Sequence, residues 1–184
     1  MKKTILALIA MGFAANVSAA ALETGSQTMQ WKGTVPVVTP PTDAGYVIEK
    51  VGVTDFMSGN LVFDNAGGSV TLTSASEIAF VVKEADKVTG EALTDAAQLA
   101  YDIQLTNVKV GVNGAAIAEQ TNGFFEVKHN GNVFAKNSTE VVTAESAGSK
   151  LTISTKAGVP ATVSAGEEVI VQAVVAVTPK TAEI

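Results

Sequence analysis

The chain has 184 residues, of which 12 are basic and 18 acidic, with one histidine and neither cysteine nor arginine. Arg supplies bidentate contacts to phosphates and base edges, so its absence and the formal net charge of −6 argue against nucleic acid or an anionic membrane surface as partner. Without cysteine, stability must come from burial and backbone pairing rather than from disulfides.

Residues 1–20 have the composition of a secretory signal peptide: two lysines, an apolar run and then small residues. Val17 and Ala19 fit cleavage after Ala19. Ser18 and Ala20 fit cleavage after Ala20 equally well, so both sites stay open. The apolar run is far shorter than the roughly 20 residues that span a bilayer. We therefore expect export, and removal of this segment leaves 10 lysines against 18 acidic residues, a formal net charge of −8.

After this segment, short runs rich in Val and Thr alternate with turn residues, which is typical of β-strands. The strand candidates are 26–38, 45–53, 59–64, 68–74, 77–83, 101–112, 124–136, 150–154 and 167–178. Their regular spacing predicts an all-β sandwich or barrel. Leu93–Tyr101 is the one helical candidate, with Thr94 as its cap, and it fits a loop equally well.

Two local patterns are specific enough to predict backbone geometry. The apolar phase of 101–112 switches near Thr106 and Asn107, which predicts a bulge or turn there. Asn130-Gly131 lies between two β-like runs and predicts a type I′ hairpin turn. We expect the neighbouring His129 to be a solvated hairpin residue rather than a general base.

Catalytic and metal-binding motifs are missing from the sequence. One histidine without cysteine is too little for the usual zinc sites or for Cys/His and Ser/His nucleophilic systems. Glu167 and Glu168 are neighbours on a predicted strand and therefore point to opposite faces, which disfavours a shared acid–base role. We expect no catalytic residues, no cofactor and no metal.

The two ends of the chain carry its clearest patterns. Near the amino end, Met29, Trp31 and Gly33 alternate with polar residues, as in a strand with one buried face. Near the carboxyl end, residues 167–178 are apolar on both faces, which is usual for a central strand but an aggregation hazard at an edge. One face of that strand is formed by Val169, Val171, Ala173, Val175 and Val177.

Both ends resemble one family. The stretch "ALETGSQTMQWKGTVP" is similar to the aromatic-x-Trp-x-Gly-x-Val-Pro signature of cysteine-free major pilins of the chaperone–usher class, in particular the colonisation-factor fimbriae of enteric bacteria. Met29 replaces the aromatic residue, and Gln27 stands where a larger aliphatic is expected. The stretch "VSAGEEVIVQAVVAVT" resembles the Ala-Gly turn and final Val-rich strand of these pilins, although it lacks their aromatic residue near the end.

The resemblance implies an incomplete immunoglobulin-like β-sandwich that is completed by donor-strand exchange. Residues 21–33 would be an N-terminal donor-strand extension and residues 34–184 the pilin domain. The donor residues would be Gly25, Gln27, Met29, Trp31 and Gly33. The acceptor edge of the neighbour would be Val169, Val171, Ala173, Val175 and Val177. Strand addition of this kind binds through main-chain hydrogen bonds and alternate side chains.

The same resemblance implies a place and a set of partners. The chain would be a structural, major subunit of a surface fimbria that is exported through the periplasm and supports adhesion to host cells. Its partners would be neighbouring copies of itself, a periplasmic chaperone and an outer-membrane usher, with a host receptor as a further candidate and nucleic acid excluded.

A different class of protein remains open. The chain would then be a self-contained, secreted β-sandwich module that binds carbohydrate or a host protein, with Trp31 in its own core. Aromatic residues make up only 5% of the chain, which is few for a sugar-stacking surface.

Overall fold

The computed structural model describes residues 28–30, 45–66 and 69–180, with side chains for 45–65 and 69–180. Within these ranges the chain forms twelve strands and no helix. The strands are β1 (Thr28–Gln30), β2 (Tyr46–Val51), β3 (Asn60–Ala66), β4 (Ser69–Ala75), β5 (Ile78–Glu84), β6 (Tyr101–Val112), β7 (Ala118–Glu119), β8 (Phe125–His129), β9 (Asn132–Phe134), β10 (Thr139–Val142), β11 (Ser149–Thr155) and β12 (Val169–Pro179). The prediction of an all-β fold is confirmed.

The strands pair antiparallel in three sheets. One has the order β1-β3-β4. A second has the order β10-β6-β12, with β7 also paired to β6. The third has the order β2-β5-β11-β8-β9. Strands that are distant in sequence therefore lie side by side, as expected for a β-sandwich with crossed connections.

One apolar core joins the three sheets. Phe80 of the third sheet stacks on Tyr101 of the second, with ring centroids 6.1 Å apart. Phe63 of the first sheet meets Phe125 of the third edge-to-face, with centroids 6.3 Å apart. Alternate residues of β5, β6, β8, β11 and β12 fill the space between them. This alternation is the reason that short Val-rich runs without long hydrophobic segments are sufficient to build the core.

The bulge predicted near Thr106 and Asn107 is present. Leu105 pairs with Val175 and Asn107 with Val174, so Thr106 is the extra residue of β6. The first half of β6 points Tyr101, Ile103 and Leu105 inward, and the apolar phase changes after the bulge. The sequence pattern and the register agree at this point.

The predicted hairpin turn is also present. Asn130 and Gly131 connect β8 to β9, and their φ angles are +49° and +84°. Positive φ at both central residues is the requirement of a type I′ turn.

The alternative between helix and loop at Leu93–Tyr101 is decided in favour of a loop. Ala92 and Gln98 form isolated bridges with Ala85 and Lys83, beside the end of β5, and Tyr101 begins β6. Backbone pairing with β5 therefore replaces the helix that Thr94 was expected to cap. The short strands β7 and β10 were not predicted from the sequence.

Candidate functional site

The candidate site lies on β12, the last strand of the described chain. β12 is the last strand in the order β10-β6-β12 and pairs with β6 from Val169 opposite Val112 to Pro179 opposite Tyr101. Among the strands of the described ranges, none pairs with β12 on its other side. We call that side the outer edge of β12.

The register shows which residues of β12 present their main chain to this edge. Asn113 N donates to Glu168 O over 2.8 Å, and Lys180 N donates to Ala100 O over 2.8 Å, so both ends bond toward β6 at even-numbered residues. The extra residue of the bulge lies on β6, so the alternation along β12 is not interrupted. Antiparallel strands alternate the direction of their main-chain groups. The residues whose N–H and C=O point to the outer edge are therefore Val169, Val171, Ala173, Val175 and Val177.

These five are the residues that the sequence predicted as an acceptor edge. The structure adds that the side chains of Val169, Val171, Ala173 and Val175 are buried, while that of Val177 is half-buried. Their side chains thus belong to the core of the domain, and an added strand would meet mainly their main-chain groups. The structure brings all five together on one strand.

The predicted donor residues lie mostly beyond what the structure describes. Gly25, Gln27, Trp31 and Gly33 fall outside the described residues, as do residues 1–20 of the expected signal peptide. Met29 lies in β1, where its backbone is opposite Leu61 of β3. The predicted boundary between an extension at 21–33 and a domain from 34 onward also falls outside the described residues. Of the predicted extension, the structure describes only β1.

The prediction that His129 is solvated is wrong. Its side chain is 2% exposed, because β8 points Phe125, Val127 and His129 to the same inner face. Nδ1 lies 2.6 Å from Glu140 Oε2, and Nε2 lies 2.9 Å from Ser149 Oγ. Ser149 Oγ is in turn 2.7 Å from the hydroxyl of Tyr101. These four side chains, which we call the His129 network, come from four strands of two different sheets.

One assignment of protons satisfies the whole network. Neutral His129 donates from Nδ1 to the Glu140 carboxylate and accepts at Nε2 from the Ser149 hydroxyl, whose oxygen accepts from Tyr101. Burial raises the pKa of Tyr101 above its ordinary value of 10.0, and the hydrogen bonds with Ser149 offset part of that shift. The phenol therefore stays neutral and available as a donor at physiological pH.

The order carboxylate, imidazole, hydroxyl also occurs in serine hydrolases. Here Ser149 is fully buried and its hydroxyl already bonds both His129 and Tyr101. A nucleophile has to reach a substrate carbonyl at about 3 to 3.5 Å, and no path from solvent reaches this oxygen. The geometry explains the network as a polar connection between two sheets rather than as a reaction centre.

A cleft of about 360 Å³ opens between β6, β7 and the hairpin of β8 and β9. Lys136 and Glu119 form an ion pair at its rim, and the hydrogen bond from Lys136 lowers the pKa of Glu119. Gln120 lines the cleft, and its side-chain amide forms hydrogen bonds with both the N–H and the C=O of Phe125. The aromatic residues that line the cleft, Phe125 and Phe134, are buried. Within the described ranges no aromatic side chain is exposed, so the cleft offers no stacking surface for a sugar.

The described residues also show no metal centre and no membrane-spanning helix. No group of three or more His, Asp or Glu side chains in these ranges is arranged to hold a metal ion. Nor does this part of the chain contain a helix of the length and hydropathy needed to cross a membrane.

Comparison with known proteins adds no relative: no family model, no curated protein and no solved structure matches this chain.

Proposed function

We propose that this chain is a structural subunit of a surface fimbria that polymerises by donor-strand exchange. The observation that carries the proposal is the outer edge of β12, an apolar strand with five residues whose main-chain groups are directed away from its one described partner strand. Unpaired strand edges of this kind attract further strands, and natural proteins usually cover or interrupt them.

The order of the strands supports an immunoglobulin-like sandwich that lacks one strand. A constant-type immunoglobulin domain has strands A, B, E and D in one sheet and C, F and G in the other. β2, β5, β11 and β8 follow the order A-B-E-D, while β6 and β12 correspond to C and F. G would pair with F, and its place is the outer edge of β12.

A strand from a neighbouring copy fits this place. At the end of the segment 21–33, Met29, Trp31 and Gly33 alternate with polar residues, and strand addition to a sheet edge uses such alternation for fit and main-chain hydrogen bonds for affinity. Each copy would donate at one end and accept at another, and head-to-tail contacts that do not close produce filaments.

Export and partners complete the proposal. The signal-peptide composition of residues 1–20 supports passage through the periplasm, where a chaperone would cover the edge of β12 before an usher passes the subunit to the surface. The proposed role is structural and adhesive, without catalysis, cofactor or metal. The complete burial of Ser149 supports a role without hydrolytic chemistry.

A self-contained binding module is the second candidate, and one observation favours it. The backbone of Thr28–Gln30 pairs with β3 of the same chain, as it would if the amino-terminal strand belonged to the domain's own fold. In that case the chain would be a stable monomer and would need no partner strand.

The single tryptophan of the chain, Trp31, allows a direct test. We suggest refolding residues 34–184, which contain no tryptophan, with and without a synthetic peptide of residues 21–33. Donor-strand exchange predicts that the domain folds with the peptide, that Trp31 fluorescence shifts to the blue, and that the full-length chain forms filaments visible by electron microscopy. A peptide with Met29→Asp, which keeps Trp31 and therefore its fluorescence, is the matched control.

The self-contained module makes a different prediction for the full chain. It expects a monodisperse monomer at every concentration and no filaments even when a periplasmic chaperone and an outer-membrane usher are co-expressed. That result would reject the fimbrial proposal.

A further inference from the structure

We propose that the free subunit holds its own N-terminal strand against β3 and close to β12, and that this contact suppresses its assembly; the proposal rests on the fimbrial function proposed above. β1 pairs antiparallel with β3, with Thr28 opposite Val62, Met29 opposite Leu61 and Gln30 opposite Asn60. We call this pairing the cis contact.

The cis contact lies next to the proposed acceptor strand. Cα atoms of β1 come within 8 Å of Cα atoms of β12, although β1 pairs with β3. β1 also lies within the segment 21–33 that a fimbrial subunit would donate. The cis contact therefore has two effects. While β1 pairs with β3 it cannot be donated to a neighbour, and its position close to β12 hinders the binding of a neighbour's strand there.

The hydrogen bonds of β3 show which residue pairs of the cis contact are hydrogen-bonded. Ser76 N donates to Asn60 O over 2.9 Å, and Asn60 N donates to Ser76 Oγ over 3.0 Å, so Asn60 bonds on the side of β4. By antiparallel alternation, Leu61 bonds on the side of β1, and Met29–Leu61 is the hydrogen-bonded pair. The pairs on either side of it, Thr28–Val62 and Gln30–Asn60, are of the non-hydrogen-bonded kind.

The cis contact is therefore short, whereas the outer edge of β12 offers five outward residues to an incoming strand. A short contact still competes well when it is intramolecular, because the effective concentration of a tethered segment is on the order of millimolar. Free subunits at low concentration are thus kept as monomers, and a longer strand from a neighbour displaces β1 once subunits are concentrated at an assembly site.

A disulfide can lock the cis contact. Non-hydrogen-bonded antiparallel pairs have Cα atoms about 4.5 Å apart, within the range that a disulfide spans. Since the chain has no cysteine, Thr28→Cys with Val62→Cys introduces a single possible bridge. Gln30→Cys with Asn60→Cys provides a second lock on the other flanking pair, in case the first variant fails to fold.

We expect the oxidised full-length double variant to be a monomer with an intramolecular disulfide, and its filament growth to be at least about tenfold slower than that of the reduced form, because the tethered strand can no longer leave. Reduction with dithiothreitol should restore the wild-type rate. Thr28→Cys with Thr71→Cys is the matched control, because Thr71 is exposed on β4 and lies opposite Asp64 rather than β1. The control should assemble equally fast with and without reductant.

Failure of this proposal and failure of the fimbrial function give different results. If both locks fail to form the intramolecular disulfide, or if the locked chain assembles as fast as the reduced one, the cis contact does not suppress assembly. If wild-type and reduced chains form no filaments at all, the fimbrial function itself is rejected.

Discussion

Ser149 Oγ lies 2.9 Å from Nε2 of His129, in a part of the core where the serine is fully buried and the histidine is 2% exposed. The same oxygen is 2.7 Å from the hydroxyl of Tyr101. One small side chain of β11 therefore satisfies polar groups from β8 and from β6, which belong to different sheets. The polar connection between the sheets depends on this hydroxyl.

Ser149→Ala should accordingly destabilise the protein more than a serine-to-alanine change usually does. It leaves two buried polar groups without their partner, and each costs roughly 1–3 kcal/mol. Ser154→Ala is a control on the same strand, because no described residue bonds the buried hydroxyl of Ser154. We expect Ser154→Ala to be close to neutral, measured as the free energy of unfolding in urea. Equal losses for the two variants would show that the His129 network contributes little.

The sequence was sufficient to predict the class of fold, the bulge and the hairpin turn, because each depends on residues that are close together along the chain. Period-two alternation located β6 and β12, and the change of phase at Thr106 located the bulge. The structure shows what stabilises the bulge. Thr106, the extra residue of β6, donates a hydrogen bond from Oγ1 to Val174 O over 3.0 Å.

The environment of His129 was mispredicted although a signal was present. Phe125, Val127 and His129 share one phase of β8, and that phase is the buried one. Proximity to the Asn130-Gly131 turn suggested exposure instead. Its partners could not be predicted, because Glu140 and Ser149 lie on strands whose pairing is fixed only by the three-dimensional register. β10 is only four residues long, too short for a clear alternation of apolar and polar residues.

Tyr101 gives the protein a specific sensitivity to alkali. Its pKa in the folded state is raised by burial, whereas the unfolded chain loses the phenolic proton near 10.0. The unfolded state therefore releases its proton first, and stability is complete below that value and falls as the pH rises toward the folded pKa.

We expect the free energy of unfolding of the wild type to fall by up to about 1.4 kcal/mol per pH unit from roughly pH 10 upward. Tyr101→Phe should reduce this slope, while starting roughly 1 kcal/mol lower at neutral pH because the bond to Ser149 is lost. An unchanged slope in Tyr101→Phe would assign the alkaline sensitivity to another group.

Gly148 directly precedes β11 and lies close to β5, so substitutions at Gly148 test how tightly the two are packed. Its φ is +83°, and a Cβ atom built on it would lie 2.5 Å from Phe80 O and 2.7 Å from Val81 Cγ1. Gly158 has a similar φ of +79° with nothing within 4 Å. Gly158→Ala should therefore cost only the left-handed backbone strain, roughly 1–2 kcal/mol, whereas Gly148→Ala adds a steric penalty of about 1–3 kcal/mol. Thermal unfolding of both variants measures the difference, and similar melting temperatures would contradict it.

The outer edge of β12 is tested by proline at two adjacent positions. Ala173 directs its N–H outward and Val174 directs its N–H toward β6, as derived from the hydrogen bonds of Glu168 and Lys180. Proline removes the N–H and is tolerated where that group faces an open edge. Ala173→Pro should leave a folded domain, whereas Val174→Pro removes a ladder hydrogen bond and should cost roughly 1–3 kcal/mol more.

The two variants should also separate folding from assembly. Ala173→Pro keeps the circular dichroism of a β-protein but lacks the central donor that an incoming strand needs, so we expect far fewer filaments by electron microscopy than for the wild type. Val141→Pro, at an exposed position of β10, serves as a control for proline at the opposite edge of the same sheet. Wild-type filament growth by a folded Ala173→Pro subunit would mean that the neighbour's strand does not bind along β12. Unfolding of Ala173→Pro to the same extent as Val174→Pro would instead refute the assignment of Ala173 to the outer edge.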